Sequence, residues 1–96
     1  MSASLHDYVH SRFAEVFGPP NMTMGKDIHW ALRPNAPNPI PINVLVNGSD
    51  TQAILWVFDP YDTTGQTIRL ALSSEAEVDR MILQIQDRVK KAGRPA

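Results

Sequence analysis

The chain has 96 residues, nine Lys and Arg against ten Asp and Glu for a net charge near −1, and no cysteine. One domain fits this length. The missing cysteines exclude disulfides, thiolate metal sites and a cysteine nucleophile, and the balanced charge provides no general field for nucleic acid or anionic lipid.

A hydrophobic fraction of 43% with 20% charged residues suits a globular chain that builds its own core. His6, Asp7, His10, Arg12 and Glu15 interrupt the N-terminal region, so it lacks the apolar run of a signal peptide. No run approaches the roughly 18 apolar residues of a membrane span. The expectation is a soluble cytoplasmic protein with no membrane partner.

Leu5, Val9, Phe13 and Val16 recur at helical spacing and predict a first helix over 5–17. Ser4 caps its start, and Gly18-Pro19-Pro20 stops it. Residues 19–26 read as a loop. From 28 to 33 the pattern alternates, with Ile28, Trp30 and Leu32 on one side, which predicts a strand. Residues 34–39 form a Pro-rich connection unsuited to a central strand.

A second strand is expected over 40–47, with Ile40, Ile42, Val44 and Val46 on one face and Asn43 and Leu45 on the other. The turn residues Asn47-Gly48-Ser49-Asp50 predict a hairpin. Ala53 to Phe58 is a run of six apolar residues and predicts a central strand. A loop over 59–66 contains Pro60 and Gly65. A fourth strand follows over 67–72, with Ile68, Leu70 and Leu72 on its apolar face.

The last helix is expected from the Ser74 and Glu77 capping box to about Lys91, with Val78, Met81, Ile82, Ile85 and Val89 on its stripe. Glu75 and Glu77 at its start and Arg88, Lys90 and Lys91 at its end complement the helix dipole. The whole reads as one α+β domain over 1–96, frayed at about 1–3 and 92–96. Its expected architecture is a two-layer α-β-β-β-β-α arrangement, a four-stranded antiparallel meander with both helices on one face.

The central strand poses the functional question. Ala53, Leu55 and Val57 project one way, and Ile54, Trp56 and Phe58 the other. Both sets are apolar, yet two helices cover only one face. If Asn47 pairs with Gln52, a four-residue turn puts Leu55 in the core beside Val44, with Trp56 and Phe58 outside near Leu45; an odd turn inverts this. The outward set is then either a surface for a protein partner or a second copy, or a patch covered by the Pro-rich segment or the 19–26 loop. Trp56, Phe58, Ile54 and Leu45 are the candidate interaction residues.

Other candidates carry weaker signals. His6 and His10, four apart on a helix, share a side as metal ligands do, but no third ligand is evident. The cluster Asp59-Pro60-Tyr61-Asp62-Thr63-Thr64 offers carboxylates and hydroxyls, yet its spacing fits a turn better than an acid/base or calcium site. Arg33-Pro34-Asn35-Ala36-Pro37 holds a Pro-X-X-Pro pattern that also serves as a plain connector.

The basic end Arg88, Lys90, Lys91 and Arg94 is explained by the helix dipole, which argues against nucleic acid. No catalytic constellation, cofactor motif or metal set is evident. The sequence therefore favours a non-enzymatic protein–protein interaction module. The alternative is a small-molecule-binding domain or minor enzyme with a helix–sheet pocket near Trp30, Tyr61, His6 and His10.

Overall fold

A computed structural model of the chain describes residues 4–48, 51–62 and 67–92. Its elements are α1 (Leu5–Phe17), β1 (Met22–Met24), β2 (Asp27–Leu32), β3 (Ile42–Gly48), β4 (Ala53–Phe58), β5 (Ile68–Leu72) and α2 (Glu75–Ala92). All strand pairs are antiparallel, and the sheet order β1-β2-β3-β4-β5 follows the chain as a meander. The fold is α+β with five strands, one more than the four expected.

The extra strand lies in the segment read as a loop. Met24 pairs with Asp27, leaving a two-residue turn in which Gly25 takes φ +61°. Glycine at the first central position suits the tight turn that matches strand twist. Three residues were too few to display a period of two. Asn21 continues the edge: its N–H donates to the His29 carbonyl oxygen (2.8 Å), and its side-chain oxygen accepts from the Ala31 N–H (2.8 Å).

Local chemistry sets the helix ends. The Ser4 hydroxyl accepts from the Asp7 N–H (3.1 Å), and the Gly18 N–H closes the last turn of α1 on Ala14 (2.9 Å). At α2 the Ser74 hydroxyl accepts from the Glu77 N–H (3.2 Å), while the Glu77 carboxylate reaches back to the Ser73 N–H (3.0 Å). The box closes one residue earlier than its usual form. Ala92, expected to fray, is the last helical residue; residues 1–3 and 93–96 lie outside the described residues.

One core joins the two helices to one face of the sheet. It contains Val9 and Phe13 of α1, Val78, Met81, Ile82 and Ile85 of α2, and the inward side chains of β2, β3, β4 and β5. Trp30 is the largest fully buried side chain. Its ring packs against Phe13 (centroids 5.1 Å apart), and its indole N–H donates to the Gly18 carbonyl oxygen (3.1 Å). That bond satisfies the one polar atom of a buried indole and ties the end of α1 to β2.

A polar bridge joins the helices at the rim of the core. The Tyr8 hydroxyl is shared between the two Asp79 carboxylate oxygens (2.9 and 3.0 Å), and Arg12 Nε donates to the same carboxylate (3.2 Å). Desolvation, then the hydrogen bond to Asp79 and its charge, raise the Tyr8 pKa above the ordinary phenol value.

The β3–β4 register corrects one detail. Gly48 pairs with Ala53, so the turn spans 49–52 and Leu55 lies opposite Val46, with Val57 opposite Val44. Ser49 and Asp50 of the expected hairpin lie outside the described residues. The turn still holds four residues, so the side chains keep the expected faces. A Cβ at Gly48 would overlap the Gln52 carbonyl oxygen and sit 2.8 Å from Ala53 Cα, so the turn closes only on a glycine.

Ile40, expected in this strand, lies before it and is exposed, with its N–H donating to the Tyr61 hydroxyl (2.8 Å). Leu70, expected in the core row of β5, is 38% exposed on this edge strand.

Candidate functional site

Cross-strand partners share a face, so the register lists the outer surface of the sheet directly. One row crosses all five strands as Met22, His29, Leu45, Trp56 and Arg69. On one side of it lie Asn47, Ile54 and Ala71, and on the other Ala31, Asn43 and Phe58. The four sequence-nominated residues Leu45, Ile54, Trp56 and Phe58 are therefore neighbours on β3 and β4. Phe58 is exposed and Leu45, Ile54 and Trp56 are half-buried, whereas Ala53, Leu55 and Val57 between them are fully buried.

The polar members of this face are engaged with each other. His29 Nε2 donates to the Asn43 side-chain oxygen (2.9 Å), and the Asn47 amide donates to Asp27. Arg69 lies over the Trp56 ring, 5.6 Å from its centroid. The guanidinium covers part of the indole and leaves a cation at the edge of the apolar strip, a cation–π contact. The apolar side chains of the face thus centre on β4, bordered by Asp27 and His29 of β2, Asn43 and Asn47 of β3 and Arg69 of β5. Met22 and Met24 extend it along β1; Met24 is 69% exposed.

Of the two segments expected to cover the face, the one over 19–26 supplies a strand. Residues 22–24 widen the sheet instead. Pro34 in the Pro-rich connection is buried, and the Ala36 N–H closes a short turn on its carbonyl oxygen (3.0 Å). That folding also removes the Pro-X-X-Pro pattern from any extended form a recognition groove would take. A groove of about 300 Å³ lined by Ile40, Pro41, Asn43, Phe58 and Pro60 continues the face at one end.

The other nominated residues are dispersed. His6 Nε2 donates to the Lys26 carbonyl oxygen (2.7 Å), and the His10 ring meets Trp30 edge-on with centroids 6.2 Å apart. Among the described residues, no three His, Asp or Glu side chains converge on a metal-sized space. Trp30 is core, and Tyr61 stands at the 59–62 loop, so the pocket suggested for Trp30, Tyr61, His6 and His10 does not assemble.

The 59–62 loop is a structural junction that sequence reasoning missed. Arg88 donates to Asp59 (3.0 Å) and Asp62 (3.2 Å), and Asp59 Oδ1 also accepts from the Tyr61 N–H (2.9 Å). Burial pulls the Arg88 pKa down, but its bonds to Asp59 and Asp62 outweigh that and leave it above the ordinary arginine value. A cleft of about 420 Å³ lies beside this cluster. Thr63 and Thr64 lie outside the described residues.

The basic end is partly consumed too. Arg88 faces the two aspartates, Lys91 pairs with Asp87 (2.9 Å), and Arg94 lies outside the described residues. Among the described residues, no helix is long and apolar enough to cross a membrane.

Comparison with known proteins finds no matching family, no similar curated protein and no similar solved structure.

Proposed function

We propose that this protein is a non-enzymatic interaction module, an adaptor, chaperone or inhibitor, that docks a protein partner on the outer face of its sheet and acts in the cytoplasm. The observation that carries this reading is the gathering of half-buried Leu45, Ile54 and Trp56 with exposed Phe58 on the sheet face away from the helices. Burying them stabilises a complex by the same area effect that builds the core. Trp and neighbouring Arg are the residue types most often found at energetic centres of interfaces.

Size narrows the partner. Five strands about 4.8 Å apart and three residue rows about 6.8 Å apart give a face of roughly 500 Å². A stable protein interface takes about 800 Å² from each side. The face therefore fits a single amphipathic helix or an extended segment, held transiently.

Peptides selected from a displayed library against the immobilised protein test this. Those recovered should bind the wild type and a Leu83→Lys control on exposed α2, and lose most affinity for folded Trp56→Lys. Peptides indifferent to Trp56, or failure to recover any, would count against the outer face as the docking site.

A further inference from the structure

We propose that β5 pairs edge-to-edge with β5 of a second copy, joining two sheets into one ten-stranded sheet with a continuous outer face. The inference goes beyond the docking reading and rests on a different element, the side of β5 away from β4.

The two edges of the sheet differ. Edge strands are pairing hazards unless short, bulged, charged or covered. At the β1 edge the strand is only three residues long, and the Asn21 side chain takes up the Ala31 N–H that would otherwise extend the edge of β2. The β5 edge has five residues, Ile68-Arg69-Leu70-Ala71-Leu72, with no proline and one charge. Among the described residues its only strand neighbour is β4. Nothing in its sequence prevents a strand from pairing there.

The strand is complementary to itself. An antiparallel two-fold centred on Leu70 sets Leu70 against its own copy, Arg69 against Ala71 of the second copy, and Ile68 against Leu72. On the helix side, two leucines that are each 38% exposed in one chain would cover each other. On the outer side, each arginine meets a small residue and keeps its place over Trp56 (5.6 Å). No like charges face each other directly, which is what symmetric pairing requires.

A two-fold at β5 sets the Ile54, Trp56 and Phe58 sets of the two copies on either side of the joint, with Asp27 and His29 farther out. The combined face reaches roughly 1,000 Å², the size of one side of a standard interface.

Sedimentation equilibrium from micromolar to millimolar protein tests the pairing. The wild type should dimerise reversibly. Ala71→Lys places a lysine opposite Arg69 twice per dimer and should weaken association roughly 2- to 30-fold; Ala71→Glu should strengthen it by a similar factor. Position 71 is exposed, and an unchanged thermal melt of diluted protein verifies each fold. Trp56→Lys should leave the dimer intact, so loss of peptide docking and loss of pairing are separable. A strict monomer at millimolar concentration overturns the inference. So does a dimer that ignores both charges at position 71, or one abolished by Trp56→Lys instead, which would place the copies face to face.

Discussion

Adjacent residues on β4 should respond unequally to truncation. Leu55 is fully buried between Val46 and Leu70 on the flanking strands, whereas Trp56 stands on the outer face between Leu45 and Arg69. A 96-residue domain has about 5–14 kcal/mol of stability. Leu55→Ala removes buried methyl groups and leaves a cavity, a loss of about 3 kcal/mol within a range of 2–5. At roughly 4–8 °C per kcal/mol, the melting temperature falls by about 12–24 °C.

Trp56→Ser loses the Arg69 contact and a cross-strand pair, together about 1 kcal/mol and roughly 4–8 °C. Thermal melts followed by far-UV circular dichroism, with urea titrations to check that the m-value is unchanged, separate these outcomes. A Trp56→Ser loss as large as that of Leu55→Ala would mean the outer face is packed against something within the monomer. The argument for a docking surface would then collapse.

Three further substitutions probe the frame. Gly48→Ala should destabilise by about 1–3 kcal/mol in urea unfolding, since its Cβ overlaps the Gln52 carbonyl oxygen, and a neutral result would mean the turn relaxes freely. Arg88→Ala should cost about 1–3 kcal/mol by the same assay, because it strips the guanidinium from Asp59, whose side chain is only 7% exposed. In ultraviolet pH titration, Tyr8 should ionise above the ordinary phenol value, and Asp79→Asn should bring it down. Because the folded-state pKa is the raised one, this contribution is whole below pH of about 10 and fades as pH rises through the folded value. Tyr8 titrating at or below the ordinary value would contradict the Asp79 bond.

Much of this was legible because periodicity is a local signal. The α1 stripe Val9 and Phe13, the α2 stripe Val78 to Ile85, and the alternation of Ile28, Trp30 and Leu32 each identified a buried face. The turn parity that decides which way Trp56 faces was left open by the sequence; the register Gly48 opposite Ala53 makes it even.

Other features were not local. Met22–Met24 is too short for a pattern, and only Gly25 with Lys26 hinted at its hairpin. Arg88 meets Asp59 and Asp62 across 29 and 26 residues, and the dipole already gave that arginine a sufficient explanation. Leu70 has the alternation of a core residue; its exposure goes with the edge position of β5, which no strand pattern encodes.

The protein has two tryptophans, and they lie on opposite sides of the same sheet: Trp30 sealed under α1 and Trp56 on the open side beneath a guanidinium. They form two optical channels with different meanings. Emission from Trp30 follows the integrity of the core, since its surroundings change only when the helix layer lifts. Emission from Trp56 follows whatever arrives at the outer face. Replacing Trp56 with phenylalanine leaves a native chromophore in the core, and replacing Trp30 leaves one on the outer face, so an encounter with the folded protein is read without an attached dye on the surface under study.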